Sequence, residues 1–135
     1  MVDGKKLKKK LILIFKKYGL SHGDANISSN AIINAEIVGA HTHGLARLRM
    51  YCERINKKVI NPKPKIKIKK ISQSISHIDA NNSIGFVAAD IGIKQAIINA
   101  KKTGIGLIVK NICPTFCGPE KSSKGSLTFP PWLAP

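Results

Sequence analysis

A chain of 135 residues, 43% of them hydrophobic, is long enough to build one core and too apolar to remain disordered. Its 23 Lys plus Arg outweigh 7 Asp plus Glu for a formal charge of +16, a field that would draw nucleic acid, anionic membrane or acidic ligands. Nearly all of that charge is lysine rather than the base-reading guanidinium, and Lys, Ile and Asn are abundant together as in a coding bias, so nucleic acid is disfavoured as a partner.

Residues 5–18 are expected to form the first helix. Leu7, Leu11, Ile14, Phe15 and Tyr18 recur on one face and lysines take the other. Asp3 suits the N-cap, and Lys16 and Lys17 suit the negative end of the dipole before Gly19. Such a lysine face is ordinarily solvated, and no membrane association is expected. The apolar run at 11–15 is too short for a membrane span or for the core of a secretory leader. Three cysteines, an odd number, argue against a disulfide framework, and the cytoplasm is the expected compartment.

Ser21-His22-Gly23-Asp24 has the form of a capping box, with His22 read as an exposed first-turn residue. Residues 25–38 then read as a second helix that stops at Gly39, with Ile27, Ala31, Ile33 and Val38 along its apolar stripe. A third helix is expected over 45–57, where Leu45, Leu48, Tyr51, Cys52 and Ile55 recur at helical spacing; Pro62 and Pro64 end the helical part.

Lysines alternate with Ile66 and Ile68 over 65–69, which predicts a half-buried strand with an edge guarded by charge. The alternation breaks at Lys69-Lys70, so a bulge or bend is expected before a second strand over 71–79, which holds His77. Asn81-Asn82-Ser83 reads as a turn. The fourth helix is expected over 84–102, with Phe86, Ala89, Ile93, Ala96, Ile97 and Ala100 inward, closed by Gly104 and followed by a buried strand over 105–110. Strand, helix and strand make one right-handed crossover unit. Gly85, Gly104 and Gly106 flank this helix instead of forming a glycine-rich turn that opens it, so no dinucleotide fingerprint is assigned.

Between the second and third helices lies Ala40-His41-Thr42-His43-Gly44-Leu45-Ala46-Arg47. An imidazole titrates near neutrality and can pass a proton, and a guanidinium can hold a planar carboxylate by two parallel hydrogen bonds. The pair suits reduction of a 2-oxo acid, where the carboxylate must be anchored and the new alkoxide protonated. Arg47 and Tyr51, four residues apart, share a helix face, and with His43 at the N-terminal end all three could surround one anion-favouring pocket. On composition alone the plainer reading is favoured, that of polar side chains filling a short loop. Cys113 and Cys117 are a weak zinc signal, since a structural site normally needs two close-spaced pairs, and no metal is expected.

Glu36, Gly39, Thr42-His43-Gly44, Arg47 and Tyr51 resemble the Asp-x-x-Gly-x-x-Ser-His-Gly-x-x-Arg-x-x-x-Tyr segment of the malate/L-lactate dehydrogenase family, with Glu36 for Asp and Thr42 for Ser. These are non-Rossmann, NAD(P)-dependent reductases of 2-oxo acids and ketimines, acting on malate, lactate, sulfolactate, ureidoglycolate, diketogulonate and cyclic imino acids. The resemblance continues in Asn81-Asn82-Ser83-Ile84-Gly85-Phe86, over 96–106, and in Leu107-Ile108-Val109-Lys110-Asn111. It implies an α/β fold, a mixed sheet with flanking helices. Residues 1–60 would be an N-terminal helical segment carrying the His-Gly motif, and 61–135 a partial, truncated α/β segment of the cofactor and substrate domain. It also implies NAD or NADP as cofactor, a small-molecule carboxylate as substrate, and a homodimer. His43 would be the catalytic proton carrier, Arg47 the carboxylate anchor, and Thr42 and Tyr51 hydrogen-bonding substrate residues.

The chain departs from the family pattern after Asn111. There the family shows Asn-Ser-x-His-Phe-Gly, whose histidine is a second acid/base candidate; here Pro114 or Thr115 stands in its place, ahead of Phe116 and Gly118-Pro119. Residues 125–135 resemble a later segment of the Thr-Asn-Ser-Pro-Pro-Trp-x-Ala-Pro type, and only 120–124 remain of the intervening helix. The expected function is hydride transfer between NAD(P)H and a 2-oxo acid, impaired by truncation. The alternative is an inactive remnant or fragment that at most dimerises or binds anions or nucleic acid through its lysines.

Overall fold

The protein is described by a computed structural model over residues 3–110, which holds four helices, two 3-10 turns and a three-stranded sheet. α1 (Gly4–Lys17) is capped by Asp3, whose Oδ1 accepts from the Lys5 amide at 2.9 Å. Leu11 and Phe15, one turn apart, form its buried face. Ser21 caps α2 (His22–Ile37) in both senses: its Oγ accepts from the Asp24 amide at 3.1 Å and donates to the Asp24 carboxylate at 2.8 Å. α2 fully buries Ala25, Ser28, Ser29 and Ile32; of the expected stripe Ile27 and Ile33 pack partly buried against the core, and Val38 is 76% exposed. Small side chains on this face let the packed helices approach, and Ser29 returns its hydroxyl to the Ala25 carbonyl at 2.7 Å.

Two 3-10 turns, His41–His43 and Leu45–Arg47, lead into α3 (Leu48–Asn56), so the helix proper begins later than periodicity suggests. α3 buries Tyr51, Cys52 and Ile55. Ile60 follows, fully buried, and the Asn61 amide donates to the Asn82 carbonyl at 2.9 Å, which ties this segment to the turn before α4.

β1 (Lys67–Lys70) and β2 (Ile75–Asp79) are antiparallel, with Lys67 opposite Asp79 and Lys70 opposite Ser76. β3 (Leu107–Lys110) lies parallel to β2 on its other side. A parallel neighbour needs a crossover, and α4 (Gly85–Thr103) provides it. The break expected at Lys69-Lys70 is a tight turn and not a bulge. Pairing runs unbroken to Lys70, and the Ile71 and Ser72 amides both donate to the Ile75 carbonyl, at 2.9 and 3.0 Å. β1 is exposed along its whole length instead of half-buried, because it forms the outer edge of the sheet.

α4 presents a face rotated by about one residue from the one periodicity suggests. Val87, Ala88, Gly92 and Asn99 are buried, whereas Ala89, Ile93 and Ile97 are exposed. The helix crosses two environments. Its first turns complete the core of Leu11, Phe15, Leu20, Ile32, Tyr51, Ile55 and Ile60 through Ile84 and Val87. Further along, Gly92 faces Ile78 and Ile108 of the sheet, and buried Asn99 donates to Ser76 Oγ at 3.0 Å. Gly106 has no room for a side chain: a Cβ there would meet the Ala96 carbonyl oxygen of α4. Because α4 covers only the face bearing Ile78 and Ile108, Leu107 and Val109 of β3 stay exposed, contrary to the buried strand expected.

Candidate active site

Glu36, in the last turn of α2, reaches over the loop that follows it. Gly39, at φ +78, takes the chain out of the helix, and the Ala40 amide closes back on the Ala35 carbonyl at 2.8 Å. The His43 amide donates to the Ala40 carbonyl at 2.8 Å and the Arg47 amide to the Gly44 carbonyl at 3.1 Å, which fixes the two 3-10 turns in series. One Glu36 oxygen, Oε2, lies 2.6 Å from His41 Nδ1; the other, Oε1, accepts from the Leu45 amide at 2.6 Å. Gly44 sits beneath this carboxylate, where a Cβ would lie 2.1 Å from Oε1. A side chain at this position would push the Glu36 carboxylate off its contact with the Leu45 amide.

The loop presents Thr42 and His43 to solvent, with Arg47 half-buried beside them. Thr42 Oγ1 lies 3.0 Å from His43 Nδ1, and both residues are exposed. A hydroxyl can donate or accept, so this contact survives either protonation state of His43 and leaves Nε2 to face a ligand. Arg47 Nε donates to the Thr42 carbonyl at 2.9 Å. That bond holds the guanidinium against the same turn and leaves its terminal nitrogens available; among the described residues Arg47 makes no ion pair. The hydrogen bond from His41, then that from the Leu45 amide, hold the Glu36 carboxyl below the usual carboxylate range, against a smaller opposing effect of burial.

Thr42, His43 and Arg47 thus meet on the two linked 3-10 turns. Tyr51 does not share their exposure: it is 7% exposed and packs on Phe86, ring centroids 5.4 Å apart at 60°. His22 is exposed at the start of α2, and His77 lies on β2 opposite Lys69 and Val109. Burial pushes the Cys52 thiol up, which suits a core residue and not a nucleophile. Among the described residues no group of three or more His, Cys, Asp or Glu side chains could hold a metal ion. Cys113, Cys117, Pro114 and Thr115, with the segment over 125–135, lie outside the described residues. The part that residue reasoning missed is the Glu36–His41 pair; its signal was a carboxylate at a helix end five residues before a histidine. An apolar hollow lined by Leu20, Ile60, Pro62, Pro64, Ile84 and Val87 involves none of the turn's residues.

Known proteins share this arrangement of sequence and fold. The sequence model of the malate/L-lactate dehydrogenase family matches residues 2–116, and the chain belongs to that family. It is 35% identical over 101 residues to an L-sulfolactate dehydrogenase of Methanocaldococcus jannaschii, covering 75% of this chain and 29% of that protein. It is 30% identical over 90 residues to an NAD(+) ureidoglycolate dehydrogenase of Escherichia coli K12, covering 67% of this chain and 26% of the relative. Among solved structures, malate dehydrogenase from Pyrococcus horikoshii OT3 superposes with a TM-score of 0.77 at 30% identity, over 83% of this chain and 33% of that one. The sulfolactate dehydrogenase structure from M. jannaschii gives 0.78 at 32% identity, over 81% of this chain and 32% of the other. The fold is accordingly the mixed α/β arrangement of these dehydrogenases, and the chain spans less than a third of the length of the curated relatives it matches.

Proposed function

We propose that this chain forms the substrate-anchoring and proton-transfer part of an NAD(P)-dependent oxidoreductase that interconverts a 2-oxo acid and its 2-hydroxy acid. The observation that carries this reading is the turn on which Thr42, His43 and Arg47 converge beneath Glu36. The terminal nitrogens of Arg47 bind the substrate carboxylate through a fork. His43, steadied at Nδ1 by Thr42, gives its proton from Nε2 to the oxygen that becomes the alcohol, and takes it back in the reverse direction. Tyr51 supports the pocket from below, through α3.

Bound NADH or NADPH would supply the hydride. No glycine-rich turn opens a helix among the described residues, so none of them is assigned to hold the nicotinamide and no step is derived through it. The same reading makes the active form a cytoplasmic homodimer, with 1–60 and 61–135 as its helical and α/β segments. The exposed apolar side chains Ile93, Ile97, Leu107 and Val109 support a covered surface there. No described helix is long and apolar enough to cross a membrane.

The test is spectrophotometric. Folded wild-type chain is scanned for NADH and NADPH oxidation against a panel of 2-oxo acids, beside His43→Ala. Oxidation that drops by about a hundredfold or more in the variant is expected. Equal activity in His43→Ala would remove His43 from the mechanism, and no oxidation by folded wild type would overturn the reading of this chain as a catalyst.

A further inference from the structure

Glu36 touches the histidine turn at both ends, yet it lies outside the group that would contact substrate. Oε2 meets His41 Nδ1 and Oε1 meets the Leu45 amide, each at 2.6 Å. Thr42 and His43 lie between those two contacts, and Arg47 is tied back to the Thr42 carbonyl at 2.9 Å. Neither 3-10 turn has a side-chain cap of its own. Three-residue 3-10 turns have poor hydrogen-bond geometry, so a side chain that bridges the two adds support. The Glu36 carboxylate is that support, and the glycine at 44 leaves the space it occupies.

An ionised carboxylate only accepts, so His41 must offer Nδ1–H to it. In the neutral ring Nε2 is then an acceptor, on a side chain 73% exposed while that of Glu36 is 24% exposed. The arrangement is a carboxylate–imidazole pair that fixes which ring nitrogen carries the proton.

We propose that Glu36 is the positioning residue of this site: it locks His41 in the Nδ1–H form with Nε2 facing outward as an acceptor, and it holds the turn that presents His43 and Arg47. The catalytic part of this inference rests on the oxidoreductase reading above. The positioning part stands on the turn alone.

Two variants separate the functions of the carboxylate. Glu36→Gln keeps the length of the side chain. Its oxygen can still accept from the Leu45 amide, but its amide nitrogen must donate to His41 Nδ1, which moves the ring proton to Nε2. Glu36→Ala removes both contacts. Nitrogen-resolved NMR of the histidine side chains, with amide exchange at Leu45, reads the two effects in the whole chain. The expected result is Nδ1–H for His41 in the wild type, Nε2–H in Glu36→Gln, and a mixture in Glu36→Ala. Leu45 exchange should stay slow in Glu36→Gln and rise by about tenfold or more in Glu36→Ala. One tautomer in all three proteins, or unchanged exchange in Glu36→Ala, would overturn the proposal.

Kinetics on the same proteins test the catalytic part. Glu36→Gln should lower kcat by about tenfold or more with KM for the 2-oxo acid nearly unchanged, because the anchor stays in place and the proton inventory of the turn changes. An unchanged kcat would overturn that part. If the wild type oxidises no NADH or NADPH, the oxidoreductase reading fails and takes the catalytic part with it, while the imidazole spectra still decide the positioning role.

Discussion

Replacing Gly106 by alanine should unlock the joint between α4 and the sheet, and the cost can be worked from the geometry. The new Cβ would sit 1.9 Å from the Ala96 carbonyl oxygen and 2.7 Å from its carbon, both in the backbone of α4. Ordinary contact begins at 3.4 Å, so the shortfall is 3.4 − 1.9, or 1.5 Å. A helix backbone cannot yield by that much, and the start of β3 must move instead. The bond from the Leu107 amide to the Ser74 carbonyl, 2.8 Å long, is the first to be lost. Overpacking costs about 1–3 kcal/mol and the lost backbone bond about 1 kcal/mol more. A total of about 3 kcal/mol would lower Tm by roughly 12 °C in a domain of this size. Gly104→Ala is the control. Gly104 has φ +81 but nothing within 4 Å of a Cβ, so only backbone conformation is penalised, by about 1 kcal/mol or roughly 4 °C. Thermal unfolding followed by far-ultraviolet circular dichroism separates the two. If Gly106→Ala melts no lower than Gly104→Ala, the close approach of β3 to α4 does not set stability and the reasoning is wrong.

Arg47→Lys keeps the charge but removes both the planar fork and the Nε bond to the Thr42 carbonyl. KM for the 2-oxo acid should rise by about tenfold or more in steady-state assays, and an unchanged KM would release Arg47 from the anchoring role. Acid should loosen the histidine turn. The Glu36 carboxyl lies below its ordinary value in the folded chain, first through His41 and then through Leu45, so the unfolded state binds the proton more readily. The contribution is complete above the ordinary carboxylate range and is lost as pH falls through the lower folded value. Leu45 amide exchange, corrected for its intrinsic pH dependence, should rise across that range in the wild type and stay flat in Glu36→Gln. A parallel rise in both proteins would rule out the carboxylate as the cause.

What could be read from the residues depended on how local each feature is. The caps at Asp3 and Ser21 were legible because donor and acceptor lie two or three residues apart. The face of α4 was not. Ile91, Ile93, Ile97 and Ile98 leave several stripes equally apolar, and the true face contains Asn99, whose partner Ser76 lies 23 residues away. Nothing in the periodicity marks that asparagine as interior. The same ambiguity placed Ile71 in a strand, although it is 59% exposed in the turn between β1 and β2. In α2 the apolar stripe drew attention from Ser28 and Ser29, which small size brings inward. At the candidate site the residue types suggested a proton carrier and an anchor. The contact of Glu36 with Leu45, nine residues on, needed the chain to be folded.

α4 is 19 residues long, or about 28 Å, and its ends belong to different neighbourhoods. One end, at Phe86, packs on Tyr51 of α3, whose first residue follows Arg47 directly. The other end is gripped by the sheet through Asn99 and Gly106. The helix therefore links the sheet to the segment that follows Arg47. A tilt of about 5° around its midpoint moves each end by about 1 Å, which is enough to change turnover where reacting groups must be held in register. Substitutions in β2 and β3 that shift the Asn99 end of the helix would then reach the turn through Phe86 and Tyr51.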